Sequence, residues 1–194
     1  MANTTYCYED GIAGANTAQC PYQSTWILDD GEYCVNYKIT GATAGDPENL
    51  HGDLAWYNGM DHTAGDTNGR MAVFNASFAP GIFYETTITG ILSNLPITYS
   101  FWALNIMAQS TFPGSILPNI TVEFLDLSNN LLATFNTGDI GRCSGSTTDN
   151  TCALGVWKQF TTSVNLGNVN AFTIRFRNNA PGGGGNDLAL DDIL

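Results

Sequence analysis

What most constrains this chain is a period of two. Short runs such as "RMAVFNAS", "IFYETTITG", "TYSFWALNIM", "ITVEFLDLS", "LLATFNTG", "KQFTTSVN" and "AFTIRFRNN" set β-branched and aromatic residues at alternate positions. Gly, Asn, Asp or Pro separates one run from the next. On a strand, successive side chains point to opposite faces, so each run can bury one face only if a second sheet covers it. With "EYCVNYKIT" and "DLALDDI" added, about nine strands spaced by turn residues predict an all-β fold of two antiparallel sheets packed as a sandwich. Asn129 and Asn130 in "LSNNLL", and Gly167 in "NLGNVN", supply turn chemistry between neighbouring runs. A helical period is nearly absent.

A chain of 194 residues is long enough to bury a sizeable core, and we read residues 1–194 as a single sandwich module with an irregular N-terminal part, 1–55, and a core, 56–194. The stretch "TGATAGDPENLHGDLAWYNGMDHTAGDTNGR" has little periodicity. A loop of that length in a compact domain is normally functional or held by something other than packing.

Eighteen acids against six basic residues give a formal charge of −12. Nucleic acid and anionic membranes both need Lys and Arg to displace counterions, so neither is expected as a partner. Cations are. No apolar run approaches the roughly 20 residues of a membrane helix, so no insertion is expected. Cys143 and Cys152 bracket the polar loop "CSGSTTDNTC" and read most simply as a disulfide formed in an oxidising, extracellular setting. Cys7, Cys20 and Cys34 leave their pairing open.

The chain closes with "NNAPGGGGNDLALDDIL", in which Asn186, Asp187, Asp191 and Asp192 surround an apolar strand with no Lys or Arg beside them. A second acidic loop, "GMDHTAGDTNGR", carries Asp61, Asp66 and Asn68. Buried carboxylates without a counter-charge cost several kcal/mol each, and oxygen ligands on glycine-rich loops suit a hard cation such as Ca²⁺. The spacing is not that of an EF-hand loop.

The segments "DHTAGDTNGRMAV" and "NDLALDDI" resemble the pattern of MAM domains and related jelly-roll carbohydrate-binding modules, and the run over about residues 56–194 is similar to modules of bacterial adhesin-type surface proteins. The resemblance implies a jelly-roll sandwich and a structural Ca²⁺ joining the N-terminal segment, the loop before a core strand and the last strand. By position it makes Asp61 and Asp191 ligands, then Asp192, with Asp187 beside them and an N-terminal acid to be drawn from Glu9, Asp10, Asp29 and Asp30; Asp30 is carried forward. Asp191 and Asp192 lie on opposite faces of a regular strand, so both can serve only if the strand bends. Cysteine spacing and the "ALNIMAQSTFPGSILPNI" segment depart from animal MAM domains, which favours the bacterial surface reading.

The function so implied is non-catalytic recognition by part of a larger cell-surface protein, with a glycan as ligand. The alternative is a protein-binding adhesin module or a fibre subunit. Trp56, Tyr57 and Phe112 are the candidates for stacking on sugar rings, whereas Trp102 and Trp157 read as structural. His62 lacks the partners of a catalytic triad. Arg175 and Arg177 alternate on one strand face, where they either bridge to acids or meet an anionic ligand.

Overall fold

A computed structural model describes residues 7–8, 28–36, 38–39, 56, 59–63, 65, 69–107, 114–142 and 156–194. Among these residues twelve strands form: β1 (Cys7–Tyr8), β2 (Glu32–Asn36), β3 (Lys38–Ile39), β4 (Gly59–Met60), β5 (Met71–Phe74), β6 (Gly81–Thr89), β7 (Pro96–Asn105), β8 (Asn119–Leu125), β9 (Leu131–Asp139), β10 (Lys158–Asn165), β11 (Ala171–Asn178) and β12 (Leu188–Asp191). One sheet of six strands runs β1-β2-β5-β12-β7-β10, a second of four runs β6-β11-β8-β9, and β3 pairs with β4 apart from both. Between these strands all pairings are antiparallel except β1 with β2. The all-β sandwich expected from the alternation is the observed fold. Among the described residues no helix is long and apolar enough to cross a membrane.

The alternating residues meet as predicted. Phe172, Ile174 and Phe176 of β11, Ile120, Val122 and Phe124 of β8, and Tyr99, Phe101 and Ala103 of β7 interlock in one core between the sheets. Phe176 takes edge-to-face contacts from Phe83, Tyr84 and Phe101, the geometry that the quadrupoles of aromatic rings favour.

The six-stranded sheet also buries its other face. Leu28, Cys34, Ile39, Trp56, Met71, Val73, Leu104, Ile106, Met107 and Ala189 form a second cluster there. Its signature is in the strands. "MAVF" and "LAL" are apolar at successive positions rather than alternate ones, the pattern of a strand covered on both sides. The run "EYCVNYKIT", expected as one strand, therefore divides: β2 joins the large sheet, while β3 leaves it to pair with β4 over the second cluster.

A close crossing of backbones explains Gly182 in the glycine run. A Cβ on Gly182 would lie 2.1 Å from the Ala76 carbonyl oxygen, so no other residue fits where this loop passes the end of β5. The loop is latched by Asn186, fully buried with φ of 76°, whose side-chain amide donates to the carbonyls of Ala180 and Pro181.

Candidate functional site

Three polar constellations emerge, and the expected cation ligands are divided between the first two. At the end of β12, Asp191 and Asp192 grip the Asp-His-Thr loop directly. The backbone N–H of His62 donates to Asp191 Oδ2 at 2.8 Å, and His62 Nδ1–H donates to Asp192 Oδ2 at 2.7 Å. The Thr63 hydroxyl donates to Asp192 at 3.0 Å. Both carboxylates can turn toward one loop because Asp192 leaves the strand with φ of 45°, the bend without which a strand would hold them apart. The His62 ring lies flat on Trp102, with centroids 3.7 Å apart, and meets the edge of Trp157. Trp157 in turn donates from its indole to the Met60 carbonyl. Asp61 is buried next to this clasp, and Gly69 makes room for it, since a Cβ there would fall 2.0 Å from Asp61 Oδ2.

The second constellation is a small cavity of about 80 Å³ beside the glycine loop, lined by Asp30, Asn75, Met107, Gly183, Gly184, Gly185 and Asp187. Asp187 is buried. Its Oδ1 accepts from the Ala76 backbone N–H at 2.9 Å and its Oδ2 from the Trp56 indole at 3.2 Å. Asn75 donates from its amide to the Leu28 carbonyl, which turns N-terminal backbone toward the same place. The cavity thus gathers the N-terminal segment, the loop after β5 and the approach to β12. Two carboxylates, one carboxamide and glycine backbone suit a hard, oxygen-seeking cation, whose remaining ligands would be carbonyls or water. Among the described residues no group of three or more His, Cys, Asp or Glu side chains stands at ligand spacing. Asp61, Asp191 and Asp192 do not share the cavity with Asp30 and Asp187.

Of the third constellation the sequence offered only Arg175 and Arg177. On the outer face of the four-stranded sheet, Glu85, Arg175, Glu123 and Thr134 stand directly opposite one another across β6, β11, β8 and β9. Arg175 donates from Nε to Glu85 at 2.6 Å, pairs with Glu123 at 3.6 Å and donates to the Asn129 carboxamide at 3.2 Å. Arg177 donates from Nε to Glu123 at 3.2 Å. In the next row, Asn136 and Asn179 each donate to Asn119 Oδ1 and to the Thr121 hydroxyl, at 2.8 to 3.0 Å. Asn119 passes its own amide hydrogen to Asp139 at 2.9 Å. Only the two arginines could have been found in the sequence; the amides come from three separate strands or their ends and share no local pattern.

Other expectations resolve one by one. Trp56, expected to stack on sugar, is 1% exposed and belongs to the second apolar cluster, because its indole has a buried acceptor in Asp187. Trp102, read as core, stands half-buried on the outer face under His62. Tyr57, Phe112, Asp66, Asn68, Cys143 and Cys152 lie outside the described residues, as do Glu9 and Asp10. The arginine pair is bridged to acids, one of the two readings drawn from its alternation.

No known sequence family matches the chain, and no curated protein does. Solved structures that it resembles include the enzymatically active domain of tailspike protein 4 of bacteriophage CBA120, at 12% identity and a TM-score of 0.43 over 84% of this chain and 17% of that one. The sugar-binding C-terminal domain of EclA matches at 13% identity and a TM-score of 0.41, over 79% of this chain and 88% of that one. A carbohydrate-binding module of the CBM4 type matches at 15% identity and a TM-score of 0.37, over 84% of each chain. These are distant likenesses, one to an enzymatically active domain and two to chains described as sugar-binding or as a carbohydrate-binding module.

Proposed function

We propose that this chain is a non-catalytic recognition module of an extracellular surface protein, that its ligand is a glycan, and that a Ca²⁺ ion staples its ends. The observation that carries the glycan reading is the outer face of the four-stranded sheet. Sugars are bound by polar groups that between them give and take hydrogen bonds, held in fixed positions. Asn119, Asn136, Asn179, Thr121, Asp139 and Arg177 are such groups, mounted on strands and fixed by one another. The outer face of the other sheet is taken up along β2, β5 and β12 by the second apolar cluster. A glycan-array screen tests this reading. Hits that weaken in Asn136→Ala, with unfolding temperature unchanged, support it, and a blank array removes it.

The calcium reading rests on the cavity at Asp30 and Asp187. An ion there would tie the segment before β2 to the approach to β12. Asp61, Asp191 and Asp192 would then act on the protein itself, by holding the His62 loop to the last strand. Thermal unfolding with Ca²⁺ and after EGTA decides the matter, since an ion bound only by the folded state raises stability by the free energy of its binding. An unchanged transition would leave Asp30 and Asp187 as protein-bonded acids.

The protein-binding alternative is favoured by a different feature. Leu92 and Leu95 of the β6–β7 loop, Leu127 of the β8–β9 turn and Leu131 at the start of β9 are exposed by 71%, 53%, 65% and 59%, and strand register sets all of them at one end of the sandwich. Exposed apolar groups gathered in one region commonly mark a contact with another protein.

A further inference from the structure

We infer that the ligand of the four-stranded sheet carries a carboxylate, as a uronic or other acidic sugar does, and that Arg177 receives it; this rests on the glycan reading given above. The amide cluster spends its nitrogens on its own bonds and leaves one donor at its centre, the Thr121 hydroxyl. Thr121 Oγ1 accepts from both Asn136 and Asn179, so both lone pairs are used and its hydroxyl hydrogen must seek an acceptor. Asn136 and Asn179 each spend their side-chain nitrogen on two acceptors within the cluster. Directly across from Thr121 in the strand register stands Arg177.

The two arginines of this face differ in what they have left to give. Arg175 is 15% exposed and has all three nitrogens committed, to Glu85, Glu123 and Asn129. Arg177 is 38% exposed and uses only Nε, on Glu123. Its two terminal nitrogens have no partner among the described residues, and they form the planar fork that matches a carboxylate. Its Nε bond to Glu123, a residue held on its other side by Arg175, fixes the fork in place.

The charges around Arg177 must be weighed. Glu85, Glu123 and Arg175 with Arg177 sum to zero, so the ladder itself neither attracts nor repels. Asp139 lies beyond Asn119, which already donates to it. The remaining acids of a −12 chain act over longer distances. At physiological ionic strength charges more than about 8 Å apart are largely screened, and the near, exposed fork then dominates. A neutral sugar would offer the Arg177 fork only single hydroxyl oxygens, whereas a carboxylate brings two strong acceptors in one plane.

The experiment compares an acidic oligosaccharide bound by the full chain, from an array holding neutral, uronic and sialylated glycans, with its carboxyl-reduced form. The expected result is binding that falls on the order of tenfold or more on carboxyl reduction, and by a similar factor in Arg177→Gln. Arg177→Lys should recover only part of the loss, because it restores the charge without the fork. Unfolding of each variant is followed alongside, and Arg177→Lys retains the test should Arg177→Gln disturb the sheet. Equal binding of the acidic and reduced forms, or hits confined to neutral glycans, overturns the carboxylate and leaves the glycan reading standing. A blank array overturns both.

Discussion

Replacing Tyr99 with Phe should make the protein more stable. Tyr99 is 4% exposed, its ring lies among Phe101, Phe124 and Phe176, and its hydroxyl has no hydrogen-bond partner among the described residues. A buried hydroxyl left unpaired costs about 1–3 kcal/mol relative to water. Deleting the oxygen opens a gap of about 15 Å³, which at ~24 cal/mol per Å³ returns only about 0.4 kcal/mol. The difference is a gain of roughly 1 kcal/mol. In a chain of this size that raises the midpoint of thermal unfolding by about 2–4 °C. Burial also pushes the Tyr99 phenol far upward, and the nearby Tyr84 phenol acts in the same direction. A folded value above the unfolded one, near ~10, means that the stabilisation of the neutral phenol is complete below that pH and is lost as pH rises through the folded value. Tyr99→Phe should therefore lose less stability than the parent in alkali. Urea unfolding of both chains at neutral and alkaline pH measures the two effects together. A loss of 1 kcal/mol or more at neutral pH would refute the reasoning, because it would mean that the hydroxyl has a partner such as a buried water.

The glycine loop offers a paired test by thermal unfolding: Gly182→Ala drives a methyl into the Ala76 carbonyl and should cost about 3 kcal/mol, whereas Gly184→Ala meets nothing within 4 Å and should be neutral or gain up to about 1 kcal/mol. At the β8–β9 turn, hydrogen bonds from the Asn130 side chain and backbone, together with the Ser128 N–H, hold the Asp126 carboxyl below the usual range. Its support of the turn is then present above the ordinary carboxylate value and lost as pH falls through the lowered one, and a carboxyl titration by NMR should show a midpoint that Asn130→Ala raises. His62→Ala removes a ring stack and a side-chain hydrogen bond to Asp192, and urea unfolding should register a loss of about 1–2 kcal/mol together with a change in tryptophan emission.

The sandwich was legible because its strands bury one face, and alternation is a local signal. "FTIRFRN" shows it in full, with Phe172, Ile174 and Phe176 inward and Thr173, Arg175 and Arg177 outward. Legibility failed where a strand is covered twice. "MAVF" and "LAL" are apolar at successive positions, which fits burial on both faces, yet nothing local identifies the covering segment as the N-terminal part of the same chain. The site behaved likewise. That Asp187, Asp191 and Asp192 have special work could be read from acids beside an apolar strand, but their partners, Trp56, Ala76, His62 and Thr63, are joined to them only by the fold. The amide cluster needed the register of β8, β9 and β11 to exist at all.

The second apolar cluster makes the large sheet an inner layer rather than a wall. Leu28, Cys34 and Ile39 come from one part of the sequence, and Val73, Leu104 and Ala189 from another, so neither part can shed the other without uncovering oily surface. The boundary suggested by the change in periodicity near residue 56 is thus a change of texture, not a seam. A shortened chain beginning at Trp56 would keep nearly every residue of the sandwich core and still behave as a sticky, half-dressed fragment. The unit that folds has to include residues 28–39, which cover the sheet.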